Sequence, residues 1–136
     1  MKLTDVLRAQ HREVLALFAQ IECTEDPNER RRLLDTISDV LQEHAAFETE
    51  VFYPALRAAA GPEVDALVLE AIEQHHVVEL IVAETPELDP EAENFPAKVS
   101  VLRKLVERHV DEEEALLFEA VAPVEVDGRA EGADRP

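Results

Sequence analysis

Apolar residues recur at intervals of three and four along four long segments of the chain. This spacing brings them onto one face of an α-helix, because a helical turn takes about 3.6 residues. In chain order, the four faces carry Leu7, His11, Val14, Phe18 and Ile21; Leu33, Ile37, Val40, His44, Glu48 and Val51; Val64, Val68, Ala71, His75, Val78 and Val82; and Val99, Leu102, Val106, His109, Glu113 and Leu116. The pattern predicts four amphipathic helices.

Cap and turn residues predict where these helices begin and end. Thr4 and Asp5 are typical caps, so the first helix should run from there to about residue 23. Asp26 followed by Pro27 is a favourable start for the second helix. Pro54 should kink or end that helix, because the residue before a proline is disfavoured in helical conformation.

The second half of the chain repeats this organisation. A third helix is predicted from about Glu63 to Thr85, and residues 86–96 form an acidic loop with three prolines. Asn94 and Pro96 should open the fourth helix, which reaches about Ala122. Four such helices joined by short loops pack most simply as an antiparallel up-down-up-down bundle. We therefore expect an all-α domain over residues 1–122 and an acidic, disordered tail over residues 123–136.

The amino-acid composition narrows the classes of molecule that the protein is expected to bind. The 136 residues include 31 acidic and 13 basic side chains, a net charge of −18. Such a surface repels phosphate backbones and anionic lipids, so neither nucleic acid nor a membrane is expected as a partner. The single cysteine, Cys23, excludes an intrachain disulfide and a cysteine metal cage. Charged residues near the N-terminus argue against a signal peptide, so a cytoplasmic location is expected.

The chemistry of the chain lies in polar residues placed on the predicted core faces. Each helix carries one histidine there, and the second and fourth helices add a glutamate four residues later, on the same face of the helix. These six residues are His11, His44, Glu48, His75, His109 and Glu113. A buried lone charge costs several kcal/mol, so the group must be paired or bound to metal.

Imidazole and carboxylate ligands together suit iron, manganese, zinc or copper rather than magnesium or calcium. If both carboxylates bridge, the six side chains give each of two metal ions two nitrogen and two oxygen ligands. Two ions about 3.5–4 Å apart would keep open positions for water, dioxygen or peroxide.

The order of these motifs resembles the hemerythrin-like (HHE cation-binding) proteins. The resemblance covers about residues 3–122 and includes the segments HREVLALF, HAAFETEVFYPAL, EQHHVVELI and HVDEEEALLF. It implies two iron ions in a non-haem di-iron centre inside a four-helix bundle. Carried over by position, it implies that the six residues are the iron ligands and that Glu48 and Glu113 bridge.

Two positions depart from the oxygen-carrying hemerythrins. Glu79 stands where those proteins have a second histidine on the third helix, and Glu113 follows His109 by four residues where they have an aspartate at five. The resemblance then implies a more open iron centre. This shifts the expectation from a reversible oxygen carrier toward oxygen or peroxide chemistry, or sensing.

Adjacent histidines leave the third helix open to two interpretations. At about 100° per residue, Glu70, Glu73 and Gln74 define the solvent face. His75 lies roughly opposite that face and is the preferred ligand. His76 is rotated toward the flank, where it would support the site or lie at a helix seam.

Helical angles also suggest where three further polar features lie relative to the site. Glu79 is either a ligand or supporting residue, or a partly solvated residue at the bundle end. Tyr53 should point away from the site and serve packing, although Pro54 leaves a redirected side chain open. The run from Asp111 to Glu114 should be a solvated face, apart from Glu113.

The leading hypothesis is a di-iron protein that binds dioxygen or a related small oxidant, such as peroxide or nitric oxide, for sensing, binding or detoxification. Whether it is an enzyme stays open, with catalase-like peroxide consumption as the catalytic version. A ferritin-like oxidase fits less well, because its Glu-x-x-His pairs are represented here by Glu73 and His76 alone. The alternative is an iron-buffering or metal-free bundle that binds a basic partner.

Overall fold

Six α-helices form four long helices in the computed structural model, which describes residues 2–121. They are α1 (Leu3–Glu22), α2 (Pro27–Phe47), α3 (Tyr53–Ala59), α4 (Pro62–Glu84), α5 (Phe95–Glu112) and α6 (Phe118–Val121). A π-helical segment, Glu48–Phe52, joins α2 to α3, and a second, Glu113–Leu117, joins α5 to α6. The tail predicted over residues 123–136 lies outside the described residues. No helix within 2–121 combines the length and apolar character needed to cross a bilayer.

Two separate apolar clusters show how the helices run. One joins the late part of α1 to the early part of α2 and the early part of α5, and it includes Phe18 and Ile37. The other joins the start of α1 to α3, α6 and the early part of α4, and it includes Leu7, Leu56 and Val68. Consecutive long helices therefore run in opposite directions, which confirms the all-α antiparallel bundle. The predicted histidine layer lies between the two clusters.

The helix starts agree only in part with the cap residues. Asp26 caps α2 as predicted, accepting a hydrogen bond at 3.4 Å from the backbone N–H of Asn28, with Pro27 in the first turn. Thr4 and Asp5 instead lie inside α1, which begins at Leu3. A side-chain cap therefore fixes the start of the second helix but not the start of the first.

Pro54 does not end the second helix. It lies in the first turn of α3, directly after the π-helical segment. Pro54 has no backbone N–H to donate, and the π-helical turn directly before it is where the regular i, i−4 hydrogen bonding is already interrupted. Of the two outcomes expected at Pro54, a kink or an end, the end was wrong for this reason.

Each π-helical segment changes which residues face the core. Such a segment adds one residue to a turn, so the helical register moves by one position beyond it. Leu116, predicted on the inward face, is 48% exposed, and its neighbour Leu117 is 3% exposed. The regular spacing of the fourth helix therefore holds only as far as Glu113.

Candidate metal centre

The structure brings all six predicted side chains into one layer of the bundle. His75 is half-buried and the other five are buried. The ligand atoms form two groups, and within each group they lie within 4.8 Å of one another. The first group is His11, His44, Glu48 and Glu113, and the second is Glu48, His75 and His109. Glu48 belongs to both groups.

Glu48 is the centre of this layer. Its Oε1 lies 2.7 Å from Nε2 of His75, 3.2 Å from Nε2 of His44 and 3.3 Å from Nε2 of His109. One carboxylate oxygen thus contacts imidazoles from three of the four long helices. The i, i+4 spacing of His44 and Glu48 supplies only one of these contacts, and packing of the helices supplies the other two.

Glu113 connects the remaining histidine to the layer. Its Oε1 lies 3.0 Å from Nε2 of His11, and its Oε2 lies 3.3 Å from Nε2 of His109. The two oxygens therefore face histidines of different groups. Glu48 is thus shared by both groups of ligand atoms, and Glu113, a member of the first group, also reaches a histidine of the second.

Three of the four histidines donate a hydrogen bond from Nδ1, the ring nitrogen that faces away from the layer. The acceptors are Oε1 of Gln10 for His44 at 2.6 Å, Oε1 of Gln74 for His109 at 2.7 Å, and Oε2 of Glu114 for His11 at 2.6 Å. A proton held on Nδ1 leaves the Nε2 lone pair of a neutral imidazole free to bind metal. The arrangement is that of metal-ligating histidines held by outer partners.

These outer partners correct two predictions. Gln74, predicted on the solvent face, is half-buried, and its Nε2 donates to Oε1 of Glu112 at 2.7 Å. Glu114, predicted within a solvated run, contacts His11 across the bundle. Helical angles within one helix could not find either contact, because each depends on how a neighbouring helix packs.

Tyr53 lies inside the layer, so the prediction that it packs away from the site was wrong. Its side chain is buried, and its hydroxyl oxygen lies 3.1 Å from Oε2 of Glu113 and 3.2 Å from Oε1 of Glu48, two acceptors that compete for its single proton. The hydroxyl oxygen also lies 3.3 Å from Nε2 of His75. The widened π-helical turn returns the fifth residue after Glu48 to the face that Glu48 occupies.

The fourth helix repeats this arrangement with a different aromatic residue. Phe118 follows Glu113 by five residues across the second π-helical segment, and its ring stacks on His11 with centroids 5.9 Å apart. Both helices therefore contain histidine, glutamate four residues later and an aromatic residue five after that. This repeated spacing is the sequence signal that could have placed Tyr53 in the site.

Two questions were open on the third helix: which of His75 and His76 belongs to the site, and whether Glu79 does. His76 is exposed, whereas His75 reaches Glu48. Glu79 is also exposed and lies at the edge of a cavity beside the histidines. It belongs to neither group of clustered ligand atoms.

Mutual contacts shift the protonation of the layer strongly. Burial lowers the pKa of His109, but its hydrogen bonds and charge interactions with Glu113 and Glu48 outweigh burial and raise that pKa to about 10. Burial also lowers the pKa of His11, but its contacts with Glu113 and Glu114 outweigh burial and raise that pKa. Burial raises the pKa of Glu48, but its hydrogen bonds hold that pKa well below the usual range.

With a pKa of about 10, His109 is an imidazolium group at neutral pH, beside the carboxylates of Glu48 and Glu113. A metal ion binds deprotonated imidazole, so metal binding must displace a proton from His109, and the raised pKa of His11 acts in the same direction. Burial, together with the nearby negative charges of Glu48 and Glu113, raises the pKa of Tyr53. Its hydroxyl therefore keeps its proton at neutral pH.

Two buried atoms provide a test of whether a cation fits. Within residues 2–121, Nε2 of His44 and Oε2 of Glu48 are the buried side-chain atoms that make no hydrogen bond. A buried polar atom without a partner costs about 1–3 kcal/mol. Both atoms offer an electron pair, and so do the ligand atoms around them. A bound cation therefore gives both atoms a partner, which a further hydrogen bond within the layer does not.

Comparison with known proteins agrees with this geometry. The model of the Hemerythrin HHE cation binding domain matches residues 2–121, and the chain belongs to this family. It is therefore a hemerythrin-like domain with a His/Glu cluster capable of binding metal cations.

Similar proteins come from cyanobacteria and mycobacteria. A protein of Nostoc sp. named DNA nickase is 33% identical over 122 residues, which are 89% of this chain and 34% of the nickase. Uncharacterized proteins of Mycobacterium tuberculosis and Mycobacterium bovis are 30% identical over 129 residues, 93% of this chain and 76% of theirs. The chain thus spans about a third of the nickase. No solved structure matches the chain significantly.

Proposed function

We propose that this chain is a non-haem di-iron protein that binds dioxygen or a related small oxidant, such as peroxide or nitric oxide. The observation that carries the proposal is the pair of donor groups that share Glu48, with two buried donor atoms left without hydrogen bonds. Imidazole and carboxylate donors suit iron, the family model describes cation binding, and the resemblance to the hemerythrins implies iron among the metals that accept this donor set.

The six clustered residues would hold the two ions. His11 and His44 belong to one group, and His75 and His109 belong to the other. Glu48 and Glu113 have oxygens facing both groups and would bridge them. Gln10, Gln74 and Glu114 would keep three imidazole rings oriented through the hydrogen bonds from Nδ1.

A cavity beside the histidines provides room for a small ligand. It has a volume of about 40 Å³ and touches all four histidines of the layer. One water requires roughly 10–15 Å³ measured this way, so a diatomic molecule or peroxide is the size that fits. Most other lining residues are valine or leucine, including Val14, Leu41 and Val106. An apolar chamber beside a charged donor layer favours a small ligand of low polarity.

Two bound iron ions supply redox chemistry and open positions for an oxidant. The chain itself contributes a proton inside the layer of histidines and glutamates. The hydroxyl of Tyr53 lies within hydrogen-bond distance of both bridging carboxylates and holds its proton there. The second core cluster covers Tyr53 on the other side and excludes bulk water from it.

Absorption spectroscopy and iron analysis after aerobic purification test the proposal. We expect about two iron ions per chain and near-ultraviolet bands from an oxygen-bridged iron pair. A matched sample with His75→Ala and His109→Ala should lose these bands, since both substitutions fall in the same donor group. Iron well below one ion per chain in the unaltered protein, with no such bands, would contradict the proposal.

Turnover of peroxide is a second candidate, which the position of the Tyr53 hydroxyl favours. If this proton takes part, Tyr53→Phe should lower oxygen evolution from added peroxide by about tenfold or more, because general acid catalysis commonly contributes at least that much. Iron content should stay unchanged, since the clustered donor atoms remain. Oxygen evolution unaltered by the substitution would exclude a role for this proton.

The nickase activity of the Nostoc relative is not proposed for this chain. The match covers a third of that protein, and the charge of −18 here opposes approach to a phosphate backbone. We propose that dioxygen or a small oxidant is the partner, and that nucleic acid and membranes are not.

A further inference from the structure

The cavity beside the histidines has one solvent-facing side. Among its lining residues only Gln42 and Glu79 are exposed, and they lie on α2 and α4. Ala45, one turn after Gln42, is half-buried and also lines the cavity. The side of the cavity that reaches solvent is thus the seam between the second and third long helices.

A surface groove runs along the same seam. It shares Gln42, Ala45, Glu79 and Val82 with the lining of the cavity. Residues that line the groove alone include Ala46 and Glu50, both exposed. Groove and cavity therefore adjoin along these four residues, of which Ala45 has the smallest side chain.

The exposure of the histidines agrees with this opening. The side chains of His44 and His75, on the two helices of the seam, are 10% and 11% exposed. Those of His11 and His109 are 2% and 6% exposed. The layer is thus most accessible from the side of the groove.

The geometry points to this seam as the port through which the small oxidant reaches the histidine layer. Ala45 sets its width, and the carboxylates of Glu79 and Glu50 disfavour anions, so the port admits small uncharged molecules. The identity of the ligand rests on the proposed function, whereas the position of the port does not.

Xenon binding to the metal-free chain tests the port without any iron chemistry. Xenon enters dry apolar cavities, and its exchange is measured by xenon-129 NMR. Ala45→Phe should slow or abolish this exchange by about tenfold or more. Ala46→Phe is the matched control, because residue 46 lines the groove but not the cavity, and it should leave exchange within about twofold. Ala45→Val and Ala45→Leu provide graded effects if the phenylalanine variant does not fold.

Ligand association with the iron-loaded chain tests the same residues kinetically. Ala45→Phe should slow association of both nitric oxide and azide by about tenfold, with iron content unchanged. At low ionic strength, Glu79→Lys should speed azide by about threefold or more and leave nitric oxide unchanged. Glu43→Lys, an equal charge change on an exposed α2 residue outside the groove, should speed azide much less.

The two proposals fail in different ways. Equal xenon exchange in the Ala45→Phe and Ala46→Phe variants would overturn the port. Slowed xenon exchange only in the Ala45→Phe variant, together with no iron in the purified chain, would keep the port and overturn the di-iron function. Equal azide rates in the Glu79→Lys and Glu43→Lys variants would overturn the selection by charge.

Discussion

Removing the metal ions is expected to lower the thermal midpoint of the purified chain by about 10–20 °C. A ligand held at a free concentration about 1,000 times its dissociation constant contributes about 4 kcal/mol to the free energy of unfolding. In a domain of this size, between the small and the large ones for which this relation is known, 1 kcal/mol moves the midpoint by roughly 3–5 °C. The layer that loses its cations contains two donor atoms without hydrogen bonds, Nε2 of His44 and Oε2 of Glu48.

The measurement is a thermal unfolding curve before and after treatment with a chelator, followed by readdition of ferrous ion. The metal-free chain should stay folded at room temperature, because His109 as an imidazolium group pairs with Glu48 and Glu113, and His11 contacts Glu113 and Glu114. Readdition should restore the midpoint. A midpoint indifferent to the chelator would favour the alternative of a metal-free structural bundle.

Glu48→Gln is expected to weaken metal binding at both donor groups. The substitution preserves shape but replaces the one carboxylate that both groups share. Loss of a partner outside the ligand shell commonly costs 10–100-fold in metal affinity. Loss of a shared ligand should therefore cost about 100-fold or more, and the metal content should fall from about two ions per chain to a small fraction of one.

Metal content measured by elemental analysis, with circular dichroism to verify folding, provides the test. Glu50→Gln is the matched control, because Glu50 lies in the same π-helical segment but is exposed. It should retain the full metal content. His75→Ala offers a graded comparison, since His75 belongs to one group only, and it should lose about one ion. Two ions per chain in the Glu48→Gln variant would show that Glu48 is not the shared ligand.

The two His-x-x-x-Glu motifs give the centre an approximate internal symmetry that ends at the aromatic position. Tyr53 extends a hydroxyl between the carboxylates, whereas Phe118 offers only a ring that stacks on His11. The outer partners of the two groups also differ, because His11 of the first group donates to the carboxylate of Glu114, whereas His109 of the second group donates to the neutral amide of Gln74. A carboxylate partner makes an imidazole more basic than an amide does. We therefore expect the two cations to have unequal environments.

The amino-acid sequence by itself determined the four helices, their antiparallel packing and the six residues that gather in the layer. Helical periodicity fixes which side chains face inward, and a histidine or glutamate on an apolar face can be recognised from spacing alone. His11, His44 and His109 are buried and His75 is half-buried, whereas its neighbour His76 is exposed, as helical spacing predicts.

Only the tertiary structure decided the contacts that depend on departures from the ideal helix and on neighbouring helices. The π-helical segments rotate everything beyond Glu48 and Glu113 by one position, which brings Tyr53 into the layer and turns Leu116 out. Gln74 is held against His109 by the packing of α4 on α5. An argument from periodicity assumes a constant number of residues per turn within one isolated helix. It therefore cannot predict widened turns or contacts between helices.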